Sequence, residues 1–174
     1  MIIRYSTFIA LFILFILEGT VYQVFAPDFH GFPYLLIPRW MFMLLLIAGI
    51  YRGRGYGLFY GIIFGVFYDI IYSQVLGVYT FGMGLLAYLL CNSIPIVKKN
   101  LSLIILSVTL GVVLLEYYVY GMMTLLGKTE LSHEIFLSKR FFPTMIMNFI
   151  ILAILAFPLR RWFQYFDRKM QDFN

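Results

Sequence analysis

The 174-residue chain is 63% hydrophobic and only 12% charged, with a mean hydropathy of +0.91. A soluble domain of this size has too little interior to hide that much apolar surface, so a water-soluble globule is excluded and a bilayer is the natural solvent. The 13 Lys and Arg outnumber the 8 Asp and Glu, but they punctuate apolar runs instead of forming one amphipathic stretch, which points to membrane topology and away from nucleic acid. With Cys91 as the single cysteine, an intramolecular disulfide framework and a cysteine metal cluster are also excluded.

Six apolar runs follow in chain order, most near the ~20 residues that cross a ~30 Å hydrocarbon layer. The predicted architecture is an all-α integral membrane protein, one transmembrane domain over residues 1–174, with spans at about 5–25, 38–51, 56–72, 77–97, 101–126 and 141–159. The first run carries Glu18 and is too long for a signal-peptide core, so an uncleaved span is expected. A loop rich in turn residues follows (Pro27, Gly31, Pro33, Pro38), and Pro38 is placed to open the second helix. That helix ends at the basic turn Arg52-Gly53-Arg54-Gly55. The third run contains Asp69, the fourth is free of charge up to Lys98-Lys99, and the fifth is long enough to require tilt or an interfacial end. The sixth is followed by Arg160-Arg161.

Basic residues report which segments stay in the cytoplasm. With the N-terminus inside, the inner segments hold Arg4, Arg52, Arg54, Lys98, Lys99, Arg160, Arg161, Arg168 and Lys169, and the outer ones hold Arg39, Lys128, Lys139 and Arg140. Both termini are therefore predicted to be cytoplasmic. The longest outer loop, Gly127–Arg140, is too short to form a domain.

The most specific pattern is Gly53, Gly57, Gly61, Gly65, Asp69, Ser73 and Gly77, a small or acidic residue at every fourth position. On a helix, Gly57, Gly61 and Gly65 share one stripe that lets another backbone approach closely. The neighbour is either a helix of this chain or a helix of a partner protein, and the spacing fits both.

Glu18, Asp69 and Glu116 are the carboxylates inside the predicted spans. Each lies 13 to 15 residues from the inner end of its span, or about 20–23 Å at the helical rise. Asn148 falls about 10 Å below the outer edge by the same count. Arg39 is the nearest expected countercharge, with Arg140 behind it. Such a layer in the outer half of the membrane has three readings: hydrogen bonds that lock helices together, a polar pocket open to the outside, or part of an ion path. The inner half has no ionisable residue, which disfavours a continuous relay. Tyr117, Tyr118 and Tyr120 flank Glu116, either as hydroxyl donors to it or as part of an aromatic belt.

Catalytic and metal signatures are lacking. His30 and His133 have no metal-ligand spacing, Ser132-His133-Glu134 is sequential and not a triad, and the Arg-Gly-Arg-Gly turn lacks the features of a phosphate loop. No enzyme activity, catalytic residue, metal, cofactor or nucleic acid partner is expected.

The run Gly57-Leu58-Phe59-Tyr60-Gly61-Ile62-Ile63-Phe64-Gly65-Val66-Phe67-Tyr68-Asp69, continuing through Gly77 to the Gly82–Leu90 stretch, together with the size, the short loops and a Pro-rich outer loop with Phe32-Pro33, resembles the MreD family of bacterial rod shape-determining proteins. The resemblance covers most of the chain. It is most specific at the glycine ladder and Gly77; over the last two runs only hydropathy matches. It implies a non-catalytic scaffold in the cytoplasmic membrane that binds MreC and helps couple MreB filaments to lateral peptidoglycan synthesis, alongside RodA and a class B penicillin-binding protein. Membrane lipids and a second copy of the chain are further expected partners. The resemblance also implies a fold similar to the S-components of energy-coupling-factor transporters, so a small-molecule-binding membrane protein is the alternative function. The residues that follow from these readings are Gly57, Gly61, Gly65, Asp69 and Gly77 for packing or partner contact, and Glu18, Arg39, Asp69, Glu116 and Asn148 for the outer polar layer.

Overall fold

The computed structural model describes residues 2–24, 33–73, 75–91 and 94–171, and all their regular structure is helical. The helices are α1 (Ile2–Val24), α2 (Trp40–Arg52), α3 (Arg54–Ile71), α4 (Val78–Leu90), α5 (Pro95–Lys99), α6 (Leu101–Leu125) and α7 (His133–Ile135). A π-helical turn, Phe136–Phe141, joins α7 to α8 (Phe142–Gln171). Pro27, His30, Gly31 and Phe32, and the side chains of Arg4, Arg168 and Lys169, lie outside the described residues.

Helix α2 is apolar on every face because it is surrounded: every residue from Met41 to Tyr51 is buried, and it packs against α1, α3, α4, α6 and α8. The outer helices are apolar in the opposite direction. Ile9 and Ile13 of α1, Ile62 and Val66 of α3, and Ile146 and Ile150 of α8 point outward at helical spacing. Two helical segments, Leu101–Leu125 and His133–Tyr165, are long and apolar enough to cross a membrane, yet most of their apolar stretch is not buried. A soluble protein would bury such helices; here their apolar surface faces outward, as it does toward lipid. Ser6–Thr20, Trp40–Arg52 and Val78–Leu90 are apolar but shorter.

Several helix ends differ from the limits of the apolar runs. α2 begins at Trp40, not at Pro38, because the Arg39 backbone (φ −129°, ψ 33°) is not yet helical; the Asn148 side chain accepts the Arg39 N–H. The fourth helix stops at Leu90, not at Val97. Pro95 has no N–H to continue it and holds Ile94 extended (φ −76°, ψ 125°), so Pro95–Lys99 forms a separate turn. The last helical segment starts at His133, where the Ser132 hydroxyl accepts the Ile135 N–H, and it continues past Arg160-Arg161 to Gln171. In the π-helical turn, positions five apart share a face. Phe136 and Phe141 therefore both turn inward, onto Tyr120 and Tyr117 of α6 at centroid distances of 3.9 and 4.8 Å.

The glycine stripe is filled from within the chain. α3 and α4 form a tight antiparallel pair, with Gly57 beside Cys91 and Ala87, Gly61 beside Met83 and Gly84, and Gly65 beside Tyr79 and Thr80. A Cβ on Gly65 would lie 2.5 Å from Thr80 Cα, and one on Gly61 would lie 2.9 Å from the Met83 carbonyl oxygen. Gly65→Ala is therefore expected to force the two backbones apart and cost about 1–3 kcal/mol. Gly55→Ala, where the added atom meets nothing within 4 Å, is expected to leave stability unchanged. Thermal unfolding of both variants in detergent checks this.

Gly53 and Gly77 do not pack on this stripe. Their φ values of +100° and +99° make them turn residues at the two ends of the α3–α4 pair. Gly77→Ala is expected to cost about 1–2 kcal/mol from left-handed backbone strain alone, seen as a lowered unfolding midpoint with unchanged helix content.

Candidate functional site

Glu18, Arg39, Asp69, Glu116 and Asn148 are all buried and all lie at one end of the bundle, where α1, α3 and α6 finish and α2, α4 and α8 begin. The free N–H groups at a helix start need acceptors, and an apolar solvent supplies none. Much of this layer consists of side chains meeting that need across helices.

Glu18 of α1 serves the start of α2. Its Oε1 accepts the Met41 N–H at 2.6 Å, and its Oε2 accepts the Tyr68 hydroxyl of α3. Asp69 of α3 serves the start of α4. Its Oδ1 accepts the Tyr79 N–H (2.8 Å), while its Oδ2 accepts the N–H groups of Gly77 and Thr80 (both 2.9 Å) and the Thr80 hydroxyl (2.6 Å). Both carboxylates thus lie at positive ends of helix dipoles.

Arg39 is the hub. Its Nε donates to Glu116 Oε1 at 2.6 Å, and its Nη2 donates to the Tyr79 hydroxyl at 3.2 Å. The guanidinium also lies 5.8 and 5.3 Å from the ring centroids of Tyr68 and Tyr79, within cation–π range. Arg140 approaches the other side of Glu116, donating from Nε and Nη2 to Oε2 at 3.3 and 3.2 Å. Glu116 is therefore shared by two arginines.

Asn148 and Thr144, one turn apart on α8, tie down the segment ahead of α2. Asn148 Oδ1 accepts the Arg39 N–H, and its Nδ2 donates to the Ile37 and Thr144 carbonyls, all at 2.9 Å. The Thr144 hydroxyl accepts the Ile37 N–H at 3.2 Å and donates to the Leu35 carbonyl at 3.1 Å.

Arg39 pairs with Glu116 and not with Asp69, which has no charged partner among the described side chains. Tyr117, Tyr118 and Tyr120 do not donate to Glu116: Tyr117 packs on Phe136 and Phe141, Tyr118 fills the space over Gly82, and the Tyr120 hydroxyl donates to the Leu131 carbonyl. The hydroxyls of the layer come from Tyr68, Tyr79, Thr80 and Thr144 instead, none of which stands out in the sequence. The available signals were adjacency for Tyr68, beside Asp69, and a four-residue offset for Thr144, before Asn148.

Beside the layer is a cavity of about 460 Å³, lined by Glu18, Arg39, Tyr72, Tyr79, Lys128 and Arg140 among others. Asp69, Glu116 and Asn148 are not in its wall. Arg39 and Arg140 are already paired with Glu116 behind the wall, so Lys128 is the lining cation without an ion pair among the described residues.

The fold and this layer define an all-helical membrane protein whose helix ends are pinned to one another by buried polar side chains. The family profile of the rod shape-determining protein MreD matches residues 3–166. The rod shape-determining protein MreD of Bacillus subtilis (strain 168) is 31% identical over 150 residues, covering 83% of this chain and 87% of that protein. The chain belongs to the MreD family of bacterial rod shape-determining proteins. No solved structure matches it.

Proposed function

We propose that this chain is a non-catalytic scaffold of the cell-elongation machinery. In this reading it crosses the cytoplasmic membrane six times with both termini inside, binds MreC, and through MreC helps couple MreB filaments to the wall synthesis carried out by RodA and a class B penicillin-binding protein. The family match over residues 3–166 carries the proposal. The geometry supports it, because each carboxylate of the buried layer is engaged in capping a helix or pairing an arginine, which suits a rigid joint better than acid–base chemistry.

With the glycine stripe occupied by α4, a partner helix is expected on the outward faces instead. The test is site-specific photocrosslinking in cells at Ile13, Val66 and Ile150, at Lys128 beside the cavity, and at Gly55 as a control. Crosslinks to MreC from one face, with loss of rod shape on depletion of the chain, are the expected result. A chain that crosslinks MreC nowhere and whose depletion leaves shape intact is not this scaffold.

Lys128 and the partly exposed Arg140 in the cavity wall favour a second reading, a binding site for a small anionic molecule. The test substitutes wall residues, Arg140→Gln and Lys128→Gln, and not Asp69, which is outside the wall. An anion that co-purifies with the parent and is lost from both variants supports this reading; retention in both rules it out.

A further inference from the structure

The opposite end of the bundle carries a cluster of cations that none of the above uses. Three segments meet there. The Tyr51 hydroxyl at the end of α2 donates to the Lys98 carbonyl at 3.3 Å, and Lys98 Nζ donates back to the Tyr51 carbonyl at 2.7 Å. The Tyr51 ring stacks on Phe163 of α8, with centroids 5.3 Å apart. Arg160 Nη2 donates to the Lys99 carbonyl. These contacts bring Arg52, Lys98, Lys99, Arg160 and Arg161 to one end, with Arg54 close behind at the start of α3.

Two features distinguish this cluster from a solvated basic surface. First, the cations sit beside exposed apolar groups. Arg54 lies over Tyr88 and Arg161 over Phe157, at 5.6 and 4.5 Å from the ring centroids, and both rings are exposed. Ile96, 69% exposed, projects from α5 next to Lys98 and Lys99. Charge and apolar surface meet at the rim of the bundle, where headgroups meet acyl chains. Second, no described side chain in the cluster is an anion. The carboxylates with described side chains (Glu18, Asp69, Glu116, Glu130 and Glu134) are all at the other end, and Arg160 Nε is buried with no hydrogen-bond partner.

We infer that this end binds the headgroups of anionic phospholipids, with phosphate oxygens between the α5 and α8 cations and acyl chains along Ile96 and Phe157. The inference rests on the chain lying in a membrane, as proposed above, but not on its orientation or on MreC.

The experiment uses the purified full chain in detergent, with unfolding midpoints measured on adding phosphatidylglycerol, phosphatidylcholine or free glycerol phosphate, and native mass spectrometry to count retained lipids. Phosphatidylglycerol is expected to raise the midpoint by several degrees and to be retained; the other two are not. Lys99→Gln with Arg161→Gln is expected to lose at least half of the shift, and Lys99→Arg with Arg161→Lys to keep it. Because the attraction is electrostatic, the shift in the parent should also shrink in concentrated salt, a readout that needs no variant. Equal shifts with phosphatidylcholine, a full shift in the Gln variant, or an effect unchanged by salt would each overturn the inference. So would a full shift with glycerol phosphate alone, because the acyl chains would then contribute nothing. Cell shape and MreC crosslinking bear only on the scaffold reading, so failure here leaves that reading to its own test.

Discussion

Glu116→Gln is expected to destabilise the protein by about 3–5 kcal/mol, the usual cost of removing one partner from a buried ion pair. The substitution keeps the shape of the side chain, so the loss is electrostatic. It leaves the guanidinium of Arg39, only 2% exposed, without its counter-ion and facing Arg140, a second cation that the lost carboxylate had balanced. Both arginines border the cavity, but Arg140 is 17% exposed and can turn toward water, whereas Arg39 at 2% has far less access to it. Arg39→Met together with Glu116→Met should therefore recover much of the loss, because removing both buried charges also removes their desolvation cost. Unfolding in detergent of Arg39→Met, Glu116→Met and the double Met variant, beside the parent, forms a double-mutant cycle. A Gln variant within about 1 kcal/mol of the parent would show that the pair is not what holds α2 and α6 together.

Asp69→Ala is the second large effect. It removes the acceptor of three backbone N–H groups and one hydroxyl at a helix start that is buried at Tyr79 and half-buried at Thr80. A single cap is worth about 0.5–2 kcal/mol, and a buried donor left unpaired costs about 1–3 kcal/mol. A loss of roughly 3 kcal/mol or more is expected from several such donors together. Asp69→Asn should fall between, since it keeps one acceptor oxygen but points an NH₂ group at the other amides. Hydrogen exchange separates a local effect from a global one: amides in the first turn of α4, from Val78 to Phe81, should exchange faster than those of α6. Uniform protection across both helices would contradict the capping role.

Some of this was legible from residue order alone. Hydropathy marked the membrane character, because burying this much apolar surface has few other solutions. The ladder from Gly57 to Asp69 marked a face of close approach, and the cost of a carboxylate in an apolar medium singled out Glu18, Asp69 and Glu116. The glycine spacing left open which helix fills the stripe. The structure places α4 there, a neighbour joined by a short turn through Gly77.

What hydropathy could not supply was the partner of each polar group. Glu18 meets Met41, Arg39 meets Glu116 and Asn148 meets Arg39 across 23, 77 and 109 residues of chain. Those meetings depend on how each helix is rotated about its axis and how its ends are staggered, which a period of 3.6 residues does not specify for a pair of helices. The helix ends at Leu90 and His133 and the π-helical turn that brings Phe136 and Phe141 onto one face depend in the same way on local breaks and neighbouring side chains. Residue order alone determined an apolar bundle with a few costly polar groups in it. The packing of the helices decided which of those groups satisfy one another, because a buried donor in an apolar solvent can be satisfied only by what the neighbouring helix places beside it.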